Sequence, residues 1–282
     1  MMGKLGTNIT RIDALAKVKG EALYPGDFNL PDSLVMKVLF AHKAHAIVES
    51  VDISEAEKVP GIVLILTAKD VPNNEYGLIQ PDQPVLCGPG SNKPFADHVR
   101  FIGDQIALII AETSSAAETA RNLIKVRYID LPIISSIEQA ISPETTFLHP
   151  EKGSNVFVQN KIRKGDVDKA FSKADVIVEG VYQTPVQEHA YLQPESGVAY
   201  IDEKDRITVI VGGQWIHEDQ EQIAHALKIN LDNIRVIYPA IGAGFYYHPA
   251  YFRIFMIKHG NNPGFPHFKY YINSSKSGHN IF

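Results

Sequence analysis

The sequence predicts an α/β (α+β) fold in two successive regions, followed by a compositionally different tail. Three observations carry this. Short β-branched and apolar runs alternate with helical periods, first through residues 34–130 and again through 166–238. Residues 131–165, rich in Pro, Ser and Gly, separate the two series. Finally, all 32 acidic residues lie at or before Asp232, while residues 246–282 hold no acid, 10 of 26 aromatics and four of 11 histidines.

Taken in order, "LVMKVLF" (34–40) reads as a strand. "DISEAEKVPG" contains a short helix from Ser54, ended by Pro60-Gly61. "IVLILTA" is a buried strand, and residues 71–98, full of turn residues and without a clear period, form a long surface loop that exposes Cys87. "DQIALIIAE" (104–112) is a further strand. "SSAAETARNLI" (114–124) is a helix with Ser114 as N-cap and Ala117, Ala120 and Ile124 on one face. "KVRYI" returns as a strand, so helices cover one face of a sheet. In the second region "GDVDKAFSKA" is a short capped helix. "DVIVEGVYQT", "SGVAYID" and "RITVIVGG" are strands, the last two joined by "EKD" as a hairpin. "WIHEDQEQIAHALKI" is an amphipathic helix with Ile216, Ile223 and Leu227 on one stripe, and "NIRVIYP" is the next strand. In the tail only "YFRIFMI" (251–257) offers a strand or a helical turn, and the segment is expected to be poorly ordered.

The bulk composition bounds the function. The chain has 282 residues, of which 45% are apolar, enough for a sizeable core. Net charge is −5, and residues 1–245 alone carry 23 Lys and Arg against 32 acids, a net of −9. An acidic body argues against a nucleic-acid or anionic-membrane partner. The single cysteine cannot form an internal disulfide, and no apolar leader is visible, so a cytoplasmic protein is expected. No apolar run reaches the ~20 residues of a membrane helix.

Several stretches then resemble one family in collinear order. "TRIDALAKVKGEALYPGDF", "HAIVESVDISEAEKVPGIVLILTAKDVP" and "VRFIGDQIALIIAETSSAAETARNLIKVRYIDLP" resemble the α/β hammerhead domain of the molybdenum-binding large subunits of the xanthine dehydrogenase and aldehyde oxidase family. "TPVQEHAYLQPESGVAYID", "GGQWIHEDQEQIAHAL" and "IRVIYPAIGAGF" resemble the opening of that family's molybdopterin-binding domain. The resemblance implies a hammerhead domain over 10–132, a linker over 133–165, an incomplete molybdopterin-binding domain over 166–245 and an atypical tail over 246–282.

The same resemblance implies a chemistry: hydroxylation of an electron-poor carbon, in an aldehyde or an N-heterocycle, with water as oxygen source. A molybdenum-pyranopterin carries that reaction, and electrons leave through iron–sulfur clusters and FAD on partner subunits or domains. Gln214 in "GGQW" matches the glutamine placed beside the metal's apical oxo ligand, where a neutral amide donates a hydrogen bond without adding charge. Gly242, Gly244 and Phe245 match a glycine loop whose backbone approaches the cofactor and whose phenylalanine walls the pocket. Ala243 departs mildly from that loop. Tyr246 and Tyr247 depart strongly, since they stand where the family has two more glycines. No residue is implied as a direct metal ligand. The family's base glutamate finds no counterpart in 1–282, so the chain is expected to be inactive alone, as a truncated or frame-disrupted product. The alternative is a non-catalytic interaction module that keeps the hammerhead fold.

Other polar residues read as structural. His217, Glu221 and His225 fall on one helix face and are expected to be solvated. Glu188 and His189 are strand neighbours that point to opposite faces.

Overall fold

The computed structural model describes residues 6, 8–31, 33–77, 80–185 and 196–242, with the backbone alone of Tyr270–Asn273. Two compact units result, one of Met1–Ile133 with Tyr191–Phe282 and one of Ile134–Ala190.

The first unit begins with α1 (Ala14–Lys19), which stops at Gly20 in the left-handed conformation. Then follow β1 (Leu34–Phe40), β2 (Ala46–Asp52), β3 (Ile62–Thr67), β4 (His98–Val99), β5 (Gln105–Ala111), α2 (Ser114–Leu123) and β6 (Lys125–Asp130). Strand β5 is buried at all seven positions because both faces are covered. On one face Ile65, Ala107, Ile109 and Ala111 pack against Ala117 and Ala120 of α2 and Ile124 just past its end. On the other, Met36, Leu66, Leu108 and Ile110 pack against Val85 and Leu86 from the long loop. A small sheet, β4–β2–β6, closes over Cys87 and Ile106.

Three local expectations are corrected. The cap of α2 is Thr113, whose hydroxyl accepts from the Ala116 N–H at 3.1 Å; its extended backbone suits a cap, and Ser114 is already helical. The helix expected from Ser54 shrinks to one 3-10 turn at Ala56–Lys58, cut short before Pro60. The loop over 71–98 does not lie wholly on the surface. Val85, Leu86 and Cys87 are buried in it, and Cys87 is not exposed. The reason is Asn74, itself buried. Its Nδ2 donates to the Leu86 carbonyl at 2.8 Å and its Oδ1 accepts from the Leu86 N–H at 2.9 Å. With its backbone paired in this way, the loop can enter the interior.

The second unit is held by polar ties. α3 (Ile137–Ile141) is capped by Ser136, and Asn155 donates to the Ala140 and Thr146 carbonyls at 3.1 and 2.9 Å. α4 (Val167–Ser172) is capped by Asp166, as its sequence suggests. "DVIVEGVYQT" is not a strand over its described residues. Val178 and Val181 are 88% and 100% exposed, and strand propensity without a pairing edge makes no sheet.

The first unit resumes with β7 (Ser196–Ile201), β8 (Ile207–Val211), α5 (Ile216–Leu227), β9 (Ile234–Ile237) and β10 (Tyr270–Asn273). The β7–β8 hairpin turns around Asp202, which accepts from the Lys204 and Arg206 N–H groups, the Arg206 guanidinium and the Thr208 hydroxyl. Desolvation works to raise its pKa, but these donors, Arg206 foremost, outweigh it and hold the carboxyl below the usual range. The stabilisation is therefore complete above about pH 4, the ordinary aspartate value, and is lost as pH falls through the lower folded value. Asp202→Ala is expected to lower the unfolding midpoint at pH 7, with the gap to the native protein narrowing on acidification. A gap independent of pH would contradict this.

Seven strands form one sheet, ordered β3–β5–β1–β10–β7–β8–β9. Strand β10 pairs parallel with Leu34–Met36 of β1 and antiparallel with Ser196–Ala199 of β7. The tail's strand is thus Tyr270–Asn273, and "YFRIFMI" lies outside the described residues. Two facing edges, on β1 and β7, supply what the sequence of the tail could not show. No helix among the described residues is long and apolar enough to cross a membrane.

Candidate functional site

Strands β8 and β9 are parallel, with Ile207 opposite Ile234 and Ile210 opposite Ile237, and α5 crosses between them. Both strands therefore end at the same edge of the sheet. Past the carboxyl end of β8 come Gly212, Gly213 and Gln214; past that of β9 come Tyr238 to Gly242. The crevice outside the carboxyl ends of parallel strands is a common place for ligands. Gln214 and Gly242 are both exposed there. Gly244 and Phe245, the other two candidates, lie outside the described residues, as do Glu188 and His189.

Each of the two segments is anchored from elsewhere. The loop after β9 is tied to the N-terminal segment: the Ala240 N–H donates to the Leu23 carbonyl at 3.0 Å, and Lys17 Nζ lies 3.5 Å from the Ile241 carbonyl. The turn after β8 is tied to Tyr238. The tyrosine hydroxyl donates to Asp219 in the first turn of α5. Its ring lies against Gly213 so closely that a Cβ there would collide with it. Burial pushes the Asp219 carboxyl up; the Tyr238 hydrogen bond opposes this and Glu218 adds to it. Burial and then Asp219 push the Tyr238 phenol up, so at neutral pH it keeps the proton it donates.

Helix α5 is fixed at both ends. Gln220 Nε2 donates to the Ile234 carbonyl at 2.8 Å, tying the helix to the start of β9. At the other end the Asn73 N–H donates to the Ala226 carbonyl at 3.0 Å, and the Gly77 N–H to Gln222 Oε1 at 3.2 Å. His225 lies 3.5 Å from Glu75, which also pairs with Lys93 at 2.8 Å. His217 and Glu221 are exposed, and His225 turns to Glu75 and Asn73, so the three do not converge. Among the described residues no group of three or more His, Cys, Asp or Glu could hold a metal ion.

Sequence reasoning named Gln214 and Gly242 as candidates and passed over Tyr238, Asp219 and Lys17. Tyr238 reads only as a strand's end. Its role follows from the crossover, which sets the residue after β9 beside the turn after β8.

A fit to a pterin-bound metal can be judged on what the edge offers. Gln214 presents a neutral exposed amide with two donors and an acceptor, and Gly242, past the end of β9, is an exposed residue without a side chain. Asp219, in the first turn of α5, is turned inward to Tyr238. The amide and the exposed glycine backbone fit a hydrogen-bonding cofactor, while Glu218 and Asp219 leave the first turn of α5 acidic.

Residues 19–132 match the family described as aldehyde oxidase and xanthine dehydrogenase, a/b hammerhead domain, and residues 148–248 match the molybdopterin cofactor-binding domain. A Bacillus subtilis protein described as a probable xanthine dehydrogenase subunit is 36% identical over 236 residues, 83% of this chain and 30% of that protein. The nicotinate dehydrogenase large molybdopterin subunit of Eubacterium barkeri is 32% identical over 249 residues, 86% of this chain and 56% of that protein. The aldehyde oxidoreductase of Desulfovibrio gigas superposes with a TM-score of 0.72 at 28% identity, covering 83% of this chain and 26% of that one. The chain thus spans between 30% and 56% of the length of these two relatives.

Proposed function

Because the chain belongs to the aldehyde oxidase and xanthine dehydrogenase family, we propose that it forms the N-terminal part of a molybdenum-hydroxylase large subunit, with a cofactor held at the edge formed by Gln214 and Gly242. One observation carries the reading. Two segments 28 residues apart in sequence meet at the carboxyl edge of the parallel β8–β9 pair, inside the span that matches the molybdopterin cofactor-binding domain.

When bound, the cofactor would supply the redox chemistry of hydroxylating an electron-poor carbon with water as oxygen source. The part of this chain is to hold and orient. Gln214 would donate its amide N–H to the cofactor, and Gly242, with Gly244 and Phe245, would let backbone donors approach while the ring excludes water. The hammerhead part, over 10–132, would brace this edge through the loop that grips α5. The substrate in this proposal is a small aldehyde or N-heterocycle, and electrons pass to iron–sulfur and FAD partners in the cytoplasm. Alone, residues 1–282 are expected to be inactive, since none of them matches the glutamate base that the resemblance implies.

The test is the molybdenum and pterin content of protein purified from a host that makes the cofactor. Both are expected to copurify with the native chain. Gln214→Ala is expected to retain it about 3–10-fold more weakly, the effect of one neutral hydrogen bond. A native chain free of both molybdenum and pterin would count against the reading.

A further inference from the structure

We propose that Tyr238 is a positioning residue for Gln214: it clasps the turn that presents the glutamine, from the neighbouring strand, and so fixes where the amide points. This rests on the reading of Gln214 as a cofactor-holding residue.

The geometry has three parts. The Tyr238 ring occupies the space over Gly213, where a Cβ would collide with it, so the residue before Gln214 packs directly under the ring. The hydroxyl donates to Asp219 in the first turn of α5. The Asp219 N–H in turn donates to the carbonyl of Trp215, the residue after Gln214, at 3.0 Å. Gln214 is thus flanked by Gly213, which Tyr238 covers, and by Trp215, which Tyr238 holds through Asp219, while its own side chain stays exposed. An exposed glutamine on an unsupported turn would sample many orientations, and a ligand would then meet the entropy of ordering it. Partial burial of Asp219 shields its hydrogen bond with Tyr238 from competing water.

The chain carries its own probe. Trp215 is the only tryptophan, it lies inside the clasp, and it is 44% exposed. Tyr238→Phe keeps the ring over Gly213 and removes the hydrogen bond to Asp219. The expected result is a shift in Trp215 emission, lower anisotropy, and amide exchange at Trp215–Asp219 faster by roughly tenfold or more. Exchange in β1, β5 and α2 is expected to stay as in the native protein. Asp219→Ala should reproduce the effect, and Asp219→Asn, which keeps an acceptor oxygen, should restore the native signal.

Unchanged emission and exchange in both Tyr238→Phe and Asp219→Ala would overturn the proposal. So would equal loosening by Asp219→Ala and Asp219→Asn, or a rise in exchange spread over the whole chain. If Tyr238→Phe does not fold, the Asp219 pair decides by the same readings. Molybdenum and pterin content separates this from the functional reading. A loosened turn in a chain that never carries cofactor leaves the clasp standing and removes the function; a rigid turn in a cofactor-bearing Tyr238→Phe does the reverse.

Discussion

Asn74→Ala is expected to destabilise the first unit by about 2–4 kcal/mol, the cost of leaving two buried backbone groups without partners. Asn74 is fully buried, and its side chain pairs both the N–H and the carbonyl of Leu86. It also donates to Ser91 Oγ at 2.7 Å, while its own N–H donates to Asn92 Oδ1 at 3.0 Å. One amide therefore ties both ends of the 74–92 loop. The loop in turn places Tyr76, Val85 and Leu86 in a core shared by Met36, Leu66 and Leu108 on one side and Val209, Val211 and Ala226 on the other. Losing the amide strands the Leu86 backbone in apolar surroundings and frees the residues that grip α5. Thermal or denaturant unfolding of the variant measures the loss. Faster amide exchange at Val85–Cys87 and along α5 should accompany it. A loss below about 0.5 kcal/mol, the range of ordinary surface substitutions, would show that the loop is held by something other than Asn74.

Ile272→Pro is expected to release β10 and to cost on the order of 3 kcal/mol, because a proline inside a sheet removes a ladder donor and its ring disrupts neighbouring pairs. Among the described residues, strand β10 is the only link in hydrogen-bond order between β1 and β7, with three residue pairs on one side and four on the other. Its release should expose the β1 and β7 edges to exchange, at Leu34–Met36 and Ser196–Ala199, while β5, paired on both sides by β1 and β3, stays protected. Native protection at those β1 and β7 residues would mean that the tail strand does not hold the sheet together. Association of the released chains is a second expected sign, since unpaired edges template pairing between molecules.

Much of the fold is legible because neighbouring residues carry it. The run "QIALIIA" is a strand by its own side chains, and α2 declares its buried face through Ala117, Ala120 and Ile124. The Asp202 hairpin follows from two strands and a polar turn, and α4 from Asp166 at its cap. What failed was decided at a distance. Loop 71–98 looks solvated because its many turn residues are usually at the surface, and only the Asn74–Leu86 pairing shows why it is inside. "DVIVEGVYQT" has strand composition, yet its described residues meet no edge. Residues 270–273 lie in a tail that looks foreign by charge, and they form a strand because β1 and β7 offer two edges.

The site divides in the same way. The sequence by itself determined the α/β class and the family resemblance, and it named Gln214 and Gly242 as candidates, since each rests on residue type and local spacing. The tertiary structure alone decided that the two segments share one edge, that Lys17 and Leu23 brace the second, and that Tyr238 reaches over Gly213 to Asp219. The physical reason is that a periodic pattern reports which face of an element is apolar, but not which partner covers it. Contacts such as that of Tyr238 with Asp219, 19 residues apart, depend on a crossover's hand and a sheet's strand order, and neither is written in any short window of the chain.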